Sequence, residues 1–435
     1  MSTVGEVFGV SREVPLNYVT RESVDGEFIN ALSENKHIVV FGSSKQGKTS
    51  LRKYNLVPPD YIHVSCSNRM TLGNLHSAIL KSLGYKVSGT TIKTTSGDLK
   101  IQAKAGGKMK IPLTVEGAAE TGVEGQAGIA KHAESVALEL DPTDVNEIID
   151  ALQKAECPQY IILEDFHYLP EDTQQDFAFA LKSFHEDSSY TFVIVGVWLD
   201  ENRLIQHNGD LDGRVISINA DKWPPEKIEQ VILDGERLLG VEFNSQFKIA
   251  LMHNSFESIW VVQDACRRAC EVAGVTSTRN PPVQITADAN KMIKDSINIG
   301  SARYTGFLSA FSEGFRENKL EMYKWLVYCV LTSTVEELER GLGYSEIRQK
   351  IDKYHPEAPV NSGNITQALK STASLQITGT KTRPIILDFD QTNRRLSVVD
   401  RSFLIWLQHQ DRNELLVDND LPQLDSGQLE ALCVS

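Results

Sequence analysis

The chain has 435 residues, 41% of them hydrophobic, and a formal net charge of −14. That length predicts about two or three domains with real cores. The charge excludes nonspecific polyanion binding by the surface as a whole, but not a local basic face. The six cysteines are scattered without a C-x-x-C pair, and no secretory signal or apolar run of membrane length is visible. A soluble, reducing, cytoplasmic protein is therefore expected, with no membrane partner. Cys266 and Cys270 stand four apart on a predicted helix and read as buried thiols rather than metal ligands.

An amphipathic segment at 24–32 leads into His37–Phe41, an apolar, β-branched run that predicts a buried strand. Gly42, Ser43, Ser44, Lys45, Gln46, Gly47, Lys48 and Thr49 follow without a gap and fit G-x-x-x-x-G-K-[ST]; Ser50 then opens a helix. Strand, glycine loop and helix are the context this phosphate-binding motif requires. Its glycines let backbone N–H groups turn inward around phosphates, and the helix N-terminus adds favourable partial charge. Lys48 is expected to reach the β- and γ-phosphates of a nucleoside triphosphate, and Thr49 to offer its hydroxyl to Mg²⁺.

A strand at 61–66 and a helix at 72–83 come next. Residues 88–135 shift to Thr, Gly, Ala and Lys, with lysines early and glutamates late. They predict an insertion of one or two β-hairpins with a flexible tail, either a solvated surface loop or an arm that contacts a neighbour. After a helix at 146–154, the run 160–163 is a strand that ends in Glu164 and Asp165, where ligands of α/β folds collect. Glu164 is expected to hold Mg²⁺, directly or through water, and Asp165 to orient or deprotonate the attacking water. A helix at 173–185 and a strand at 191–198 follow. At the end of that strand stand Gly196 and Trp198, with Asp200 and Asn202 just beyond. Arg214 precedes a last strand at 215–218.

From Trp223, Pro224 and Pro225 the pattern turns helical, with segments at 226–238, 245–253 and 259–272. The C-terminal third predicts helices at 322–332, 344–353 and 361–371, then extended pieces at 384–389 and 395–399 joined by a turn. Three helices and a hairpin make a winged helix. Positions 346–401 carry nine Lys/Arg against six Asp/Glu, a small excess that favours nucleic acid only weakly over a packing role. The fold class expected is α/β: a P-loop NTPase parallel sheet with a helical lid and a C-terminal winged-helix domain. The boundaries expected are 1–221 for the ATPase domain with its insertion, 222–305 for the lid, 306–412 for the winged helix and 413–435 for a tail.

This order of P-loop, acidic strand, arginine before the last strand, lid and winged helix resembles the AAA+ and STAND families of ATPases, including the origin-recognition initiators, over about residues 15–410. Strings 162–167, 195–198 and 210–214 look like those of bacterial stand-alone ATPases without a fused effector. The resemblance implies ATP and Mg²⁺ as ligands. Related ATPases place an adenine-covering segment where 24–32 lies, although an ordinary helix would read the same. They also place a finger that reaches the neighbouring subunit's γ-phosphate where Arg214 stands; the alternative is an Arg214 paired with Asp210 or Asp212. Relatives usually put Asp first on the acidic strand, as Asp-Glu or Asp-Asp, so the Glu164–Asp165 order implies slow hydrolysis. They carry a polar sensor where Gly196 and Trp198 stand and a lid sensor arginine where Ser258, Ile259 and Trp260 stand. STAND members are switches that oligomerise in the ATP state, many in antiphage defence, which implies homo-oligomerisation and a separately encoded effector. The alternative is a DNA-binding AAA+ ATPase of initiator or transposition-helper type, contacting DNA through the winged helix.

Overall fold

The computed structural model describes residues 1–9, 13–93, 99–105, 137–314 and 320–433. In chain order its strands begin with β1 (His37–Phe41) and β2 (Tyr61–Ser65). An antiparallel sheet follows, made of β3 (Tyr85–Lys93), β4 (Leu99–Ala105) and β5 (Ala137–Leu140). Then come β6 (Tyr160–Glu164), β7 (Thr191–Val195) and β8 (Val215–Asn219). Five of these form one parallel sheet in the order β2-β6-β7-β1-β8. The β3–β4 pair supplies one hairpin of the expected insertion. The rest of that insertion, including the stretch expected to form a tail and most of its charges, lies outside the described residues.

Alternating side chains of the central strands feed two cores. Val39 and Phe41 of β1, Ile161 and Leu163 of β6, and Phe192 and Ile194 of β7 pack under helices Leu72–Ser82, Val145–Lys154 and Glu171–Asp187. Ile38, Val40, Ile162, Val193 and Val195 face the other way, onto Val24, Phe28 and Leu51. This two-sided burial is why these strands read as continuous apolar runs. Because the sheet is parallel, the carboxyl ends of β1, β6, β7 and β8 share one edge, and the glycine loop and both acids emerge there.

Helices Pro225–Leu239, Ser245–Asn254, Ile259–Val272 and Ala289–Asn298 form the lid, tied by a short parallel pair, β9 (Val241–Phe243) and β10 (Val283–Ile285). The N-terminal helix Val4–Phe8 belongs to the same core. Gly235 is required there, since a Cβ would lie 2.1 Å from the Phe8 ring.

The C-terminal part has helices Met322–Leu331, Tyr344–Tyr354 and Ser362–Lys370. Its three-stranded antiparallel sheet runs β11 (Leu342–Gly343), β13 (Arg395–Val398), β12 (Leu387–Asp390). This is a winged helix. Helices Arg401–Gln408 and Arg412–Asp418 follow it, and Leu415, Leu416, Leu421 and Leu424 join the lid's own core.

The winged helix does not hang free. Ile377, Ile385 and Val399 pack on Val197 beyond β7, with Tyr168 and Leu199 alongside. Arg203 pairs with Asp388 at 3.0 Å, and Thr392 donates to Asp200 at 3.1 Å.

Candidate nucleotide-binding site

A cavity of about 600 Å³ opens at the carboxyl edge of the sheet, between the glycine loop, the lid and residues 15–19. Of the nine loop residues expected to hold phosphate, Ser44, Lys45, Gln46, Gly47, Lys48, Thr49 and Ser50 line it. Gly42 and Ser43 do not. Ser43 donates its backbone N–H and its hydroxyl to Asp221, at 2.8 and 2.6 Å. That corrects the phosphate-binding role expected of Ser43: both its donors are already used to anchor the loop to the end of β8. Gly42, at φ +136°, has no room for a side chain, because a Cβ would come within 2.7 Å of the same Asp221 carboxylate.

Lys48 opens the helix Lys48–Asn55 and is buried. Its ammonium donates to the carbonyls of Gly42, at 2.9 Å, and Ser43. Burial pushes its pKa down to about 8, against weaker support from the charges of Asp221 and Asp165. Among the described residues no carboxylate comes within ion-pairing distance of it. A buried cation held only by neutral carbonyls at a helix N-terminus is built to meet an anion.

The two acids separate in role. Glu164 is tied by Arg52 Nε at 3.0 Å and by His63 Nε2 at 3.2 Å. Burial pushes its carboxyl up, but the His63 hydrogen bond and the Arg52 charge outweigh that and hold it below the ordinary carboxylate range. Glu164 lines the cavity too, but Arg52 and His63 already hold its oxygens, an arrangement that suits the water-mediated form of its expected Mg²⁺ role better than the direct one. Asp165 follows the strand in a left-handed conformation, φ +59°. Burial and the adjacent Glu164 raise its pKa, partly offset by Lys48. Asp165 and Thr49 both line the cavity with Lys48. They fit a Mg²⁺ that arrives with phosphate and completes its octahedron with phosphate oxygens and water.

The far end of the cavity is apolar, with Val19, Trp223, Val231, Ile259 and Trp260 on its walls. Asn17 and Gln263 pair their amides at 3.0 Å, and Asn17 also donates to the Val231 carbonyl. Tyr18 stacks on Tyr54 and donates to Asp25 at 2.6 Å. An apolar slot rimmed by amides suits a planar heterocycle. Residues 17–19, not the 24–32 segment, form this wall; Val24, Phe28 and Ala31 are spent on the core beneath the sheet.

The lid clasps the loop. Gln46 donates to the Glu257 carbonyl at 3.0 Å and accepts from the Ile259 N–H at 3.2 Å, while Lys45 sits 3.6 Å above the Trp260 ring. Arg267 and Arg268 both pair with Asp264 instead of reaching the cavity.

Arg214 lies at the opposite edge of the sheet, where its neighbour Val215 pairs with His37 at the start of β1. It pairs with Glu186 at 2.9 Å and donates to the Asp210 carbonyl. Asp210's own carboxylate pairs with Lys182. Arg214 is thus not part of the cavity within one chain.

The sensor position beyond β7 has been given to packing. Trp198 is fully buried, and a Cβ on Gly196 would fall 1.5 Å from its ring. Two residues that sequence reasoning passed over stand out. Asp221 is the loop's anchor, and Arg401 ties it to the lid and the winged helix. Arg401 donates to the Phe256 carbonyl at 2.6 Å, pairs with Glu257 and Glu339, and lies 3.7 Å from Asp221. The loop itself touches the winged helix, since Ser44 N–H donates to the Val399 carbonyl at 2.8 Å.

No family model and no curated protein matches the chain. Among solved structures, the Walker-type ATPase of Pyrococcus abyssi is similar with a TM-score of 0.55 at 12% identity, over 92% of this chain and 99% of that one. The Orc1 protein of Aeropyrum pernix, solved in complex with DNA, gives 0.41 at 12% identity over 95% and 96%. The RuvB Holliday junction branch migration motor of Thermotoga maritima gives 0.32 at 13% over 86% and 87%. The chain has the fold of the P-loop ATPases, and its glycine loop, acids and cavity stand where that fold binds its ligand.

Proposed function

We propose that the chain is an ATP-binding, slowly hydrolysing AAA+ switch of STAND type, with the winged helix as its latch. The observation that carries this reading is the bond from Ser44 of the glycine loop to Val399 of the winged helix, reinforced by Arg401 beside Asp221. A domain that holds the phosphate loop directly is coupled to what the loop binds. ATP and Mg²⁺ occupy the cavity, with Lys48 on the β- and γ-phosphates, Thr49 on the metal and Asp165 orienting water. Glu164 acts through Arg52 and His63, ordering this edge of the sheet. Arg214 serves a neighbouring subunit's γ-phosphate once Glu186 releases it. The units are an ATPase domain to residue 221, a lid, and a winged helix whose following helices brace it. Assembly then presents a surface to a separately encoded effector, in keeping with an antiphage role.

The test is mass in solution by light scattering, with ADP, with a nonhydrolysable ATP analogue and with neither. A defined oligomer only with the analogue supports the switch; a mass that ignores nucleotide counts against it.

A DNA-binding role is the second reading, favoured by the exposed polar start of the helix Ser362–Lys370 and by the exposed Arg394. Many of the basic residues counted in its favour have internal partners. Arg348 pairs with Asp352, Lys350 caps the Thr332 carbonyl, Arg383 lies over Tyr168, Arg394 over Tyr344, and Arg395 holds the Gly341 carbonyl. Salt-sensitive duplex binding that disappears in Arg394→Ala/Arg395→Ala would favour this second reading.

A further inference from the structure

His167 is the residue we assign the task of reading the nucleotide's terminal phosphate: we propose that its Nε2–H donates a hydrogen bond to a γ-phosphate oxygen and so distinguishes triphosphate from diphosphate. The proposal rests on the P-loop reading above and deepens it.

The argument is one of donor accounting. His167 is 2% exposed and lines the cavity together with Lys48, Asp165 and Gly196. Its Nδ1 accepts the backbone N–H of Val197 at 3.2 Å. A nitrogen that accepts carries no proton, so the ring's single proton is on Nε2. Nε2 is buried and has no hydrogen-bond partner. Two other buried histidines show why this matters. His37 uses both nitrogens, accepting from Phe192 N–H and donating to the Leu181 carbonyl. His76 leaves one nitrogen without a partner, but its Nδ1 donates to the Pro142 carbonyl at 2.8 Å, so what remains is a bare acceptor. His167 is left with a buried N–H that lacks an acceptor, a costly deficit that Arg21, Trp198 and Arg303 share, but of these residues only His167 lines the cavity.

The place is apt. The position beyond β7 where a polar sensor is expected is filled by Gly196 and Trp198. His167 reaches the same region from the neighbouring strand and is oriented by the backbone of Val197. It also lines the small crevice beneath the winged helix, beside Ile377 and Asp388. A bond formed or lost at Nε2 is therefore made at the boundary that the winged helix covers.

The experiment compares full-length wild type with His167→Leu, His167→Gln and Lys48→Ala, by titration with ADP and with ATPγS in the presence of Mg²⁺. His167→Leu is expected to bind ATPγS roughly tenfold or more weakly while its ADP affinity stays unchanged, as loss of one bond to a charged acceptor requires. His167→Gln, which restores an N–H donor, is expected to recover most of the loss. An unchanged ATPγS-to-ADP ratio in His167→Leu, or an equal fall for both nucleotides, would overturn the assignment. Wild-type nucleotide binding by Lys48→Ala would overturn the P-loop reading itself, and the role of His167 with it. On wild-type protein, the Nε2–H resonance of ¹⁵N-histidine-labelled chain should shift with ATPγS and not with ADP. Identical shifts for both would also refute the proposal, whatever the fold of the variants.

Discussion

Replacing Arg401 with alanine should open the latch. The guanidinium is 14% exposed and makes one short bond to the Phe256 carbonyl, with Glu257, Glu339 and Asp221 at 3.3, 3.8 and 3.7 Å. A charged donor to a partly buried acceptor contributes about 1.5–3 kcal/mol. The looser, partly exposed ion pairs add only about 0.5 kcal/mol after solvent screening. Taken together, about 2–3.5 kcal/mol of docking free energy is removed, which shifts the closed-to-open ratio by roughly 30- to 400-fold. If ADP leaves only when the winged helix lifts from Ser44, its release should accelerate by about the same factor. Stopped-flow displacement of a fluorescent ADP measures this directly. Release at the wild-type rate, from a variant whose circular dichroism and ADP affinity show it folded, would refute the idea that Arg401 holds the closed state.

Asp165→Asn should retain ATP binding and lower turnover by roughly 10²-fold or more, the usual weight of a positioned base; unaltered phosphate release would remove Asp165 from the mechanism. Arg214→Ala should bind nucleotide normally as a monomer but assemble poorly with the ATP analogue, and unchanged assembly would rule out a finger. Lys48→Met should abolish nucleotide binding yet raise the melting temperature of the nucleotide-free protein. The Lys48 pKa falls from 10.5 in the open chain to about 8 in the fold, so between those values the unfolded state binds the extra proton and wild-type stability rises with pH. The gain from Lys48→Met should be full below pH 8 and shrink toward pH 10; a gain that grows with pH would contradict a buried, charged Lys48.

Much of this fold was legible because its signals are local. The apolar run before Gly42, the glycine loop, the acids after β6 and the proline-led helix Pro225–Leu239 each follow from neighbours in sequence. The apolar positions at 259–272 and 344–353 likewise fall on helices Ile259–Val272 and Tyr344–Tyr354. What stayed hidden is tertiary. Asp221 is 178 positions from Ser43, and nothing in its surrounding residues marks it as an anchor. Arg401 looked like one more basic residue in a possible nucleic-acid face, until its partners proved to be a lid carbonyl and acidic side chains. Glu164 and Asp165 read as equals in sequence, and only Arg52 and His63, brought in from the helix that follows the glycine loop and from β2, separate them. Gly196 and Trp198 could be read from the sequence, but the lone nitrogen of His167 could not, because it depends on a single hydrogen bond from the Val197 backbone, 30 positions away.

The central claim is that the nucleotide at Lys48 decides whether the winged helix stays on the loop. Hydrogen–deuterium exchange of the full chain, with ADP and then with Mg²⁺ and ATPγS, tests it most directly. Both faces of the contact, residues 197–200 and 385–399, should be protected with ADP and should lose protection together with ATPγS. Equal protection of both segments in the two states would contradict the claim.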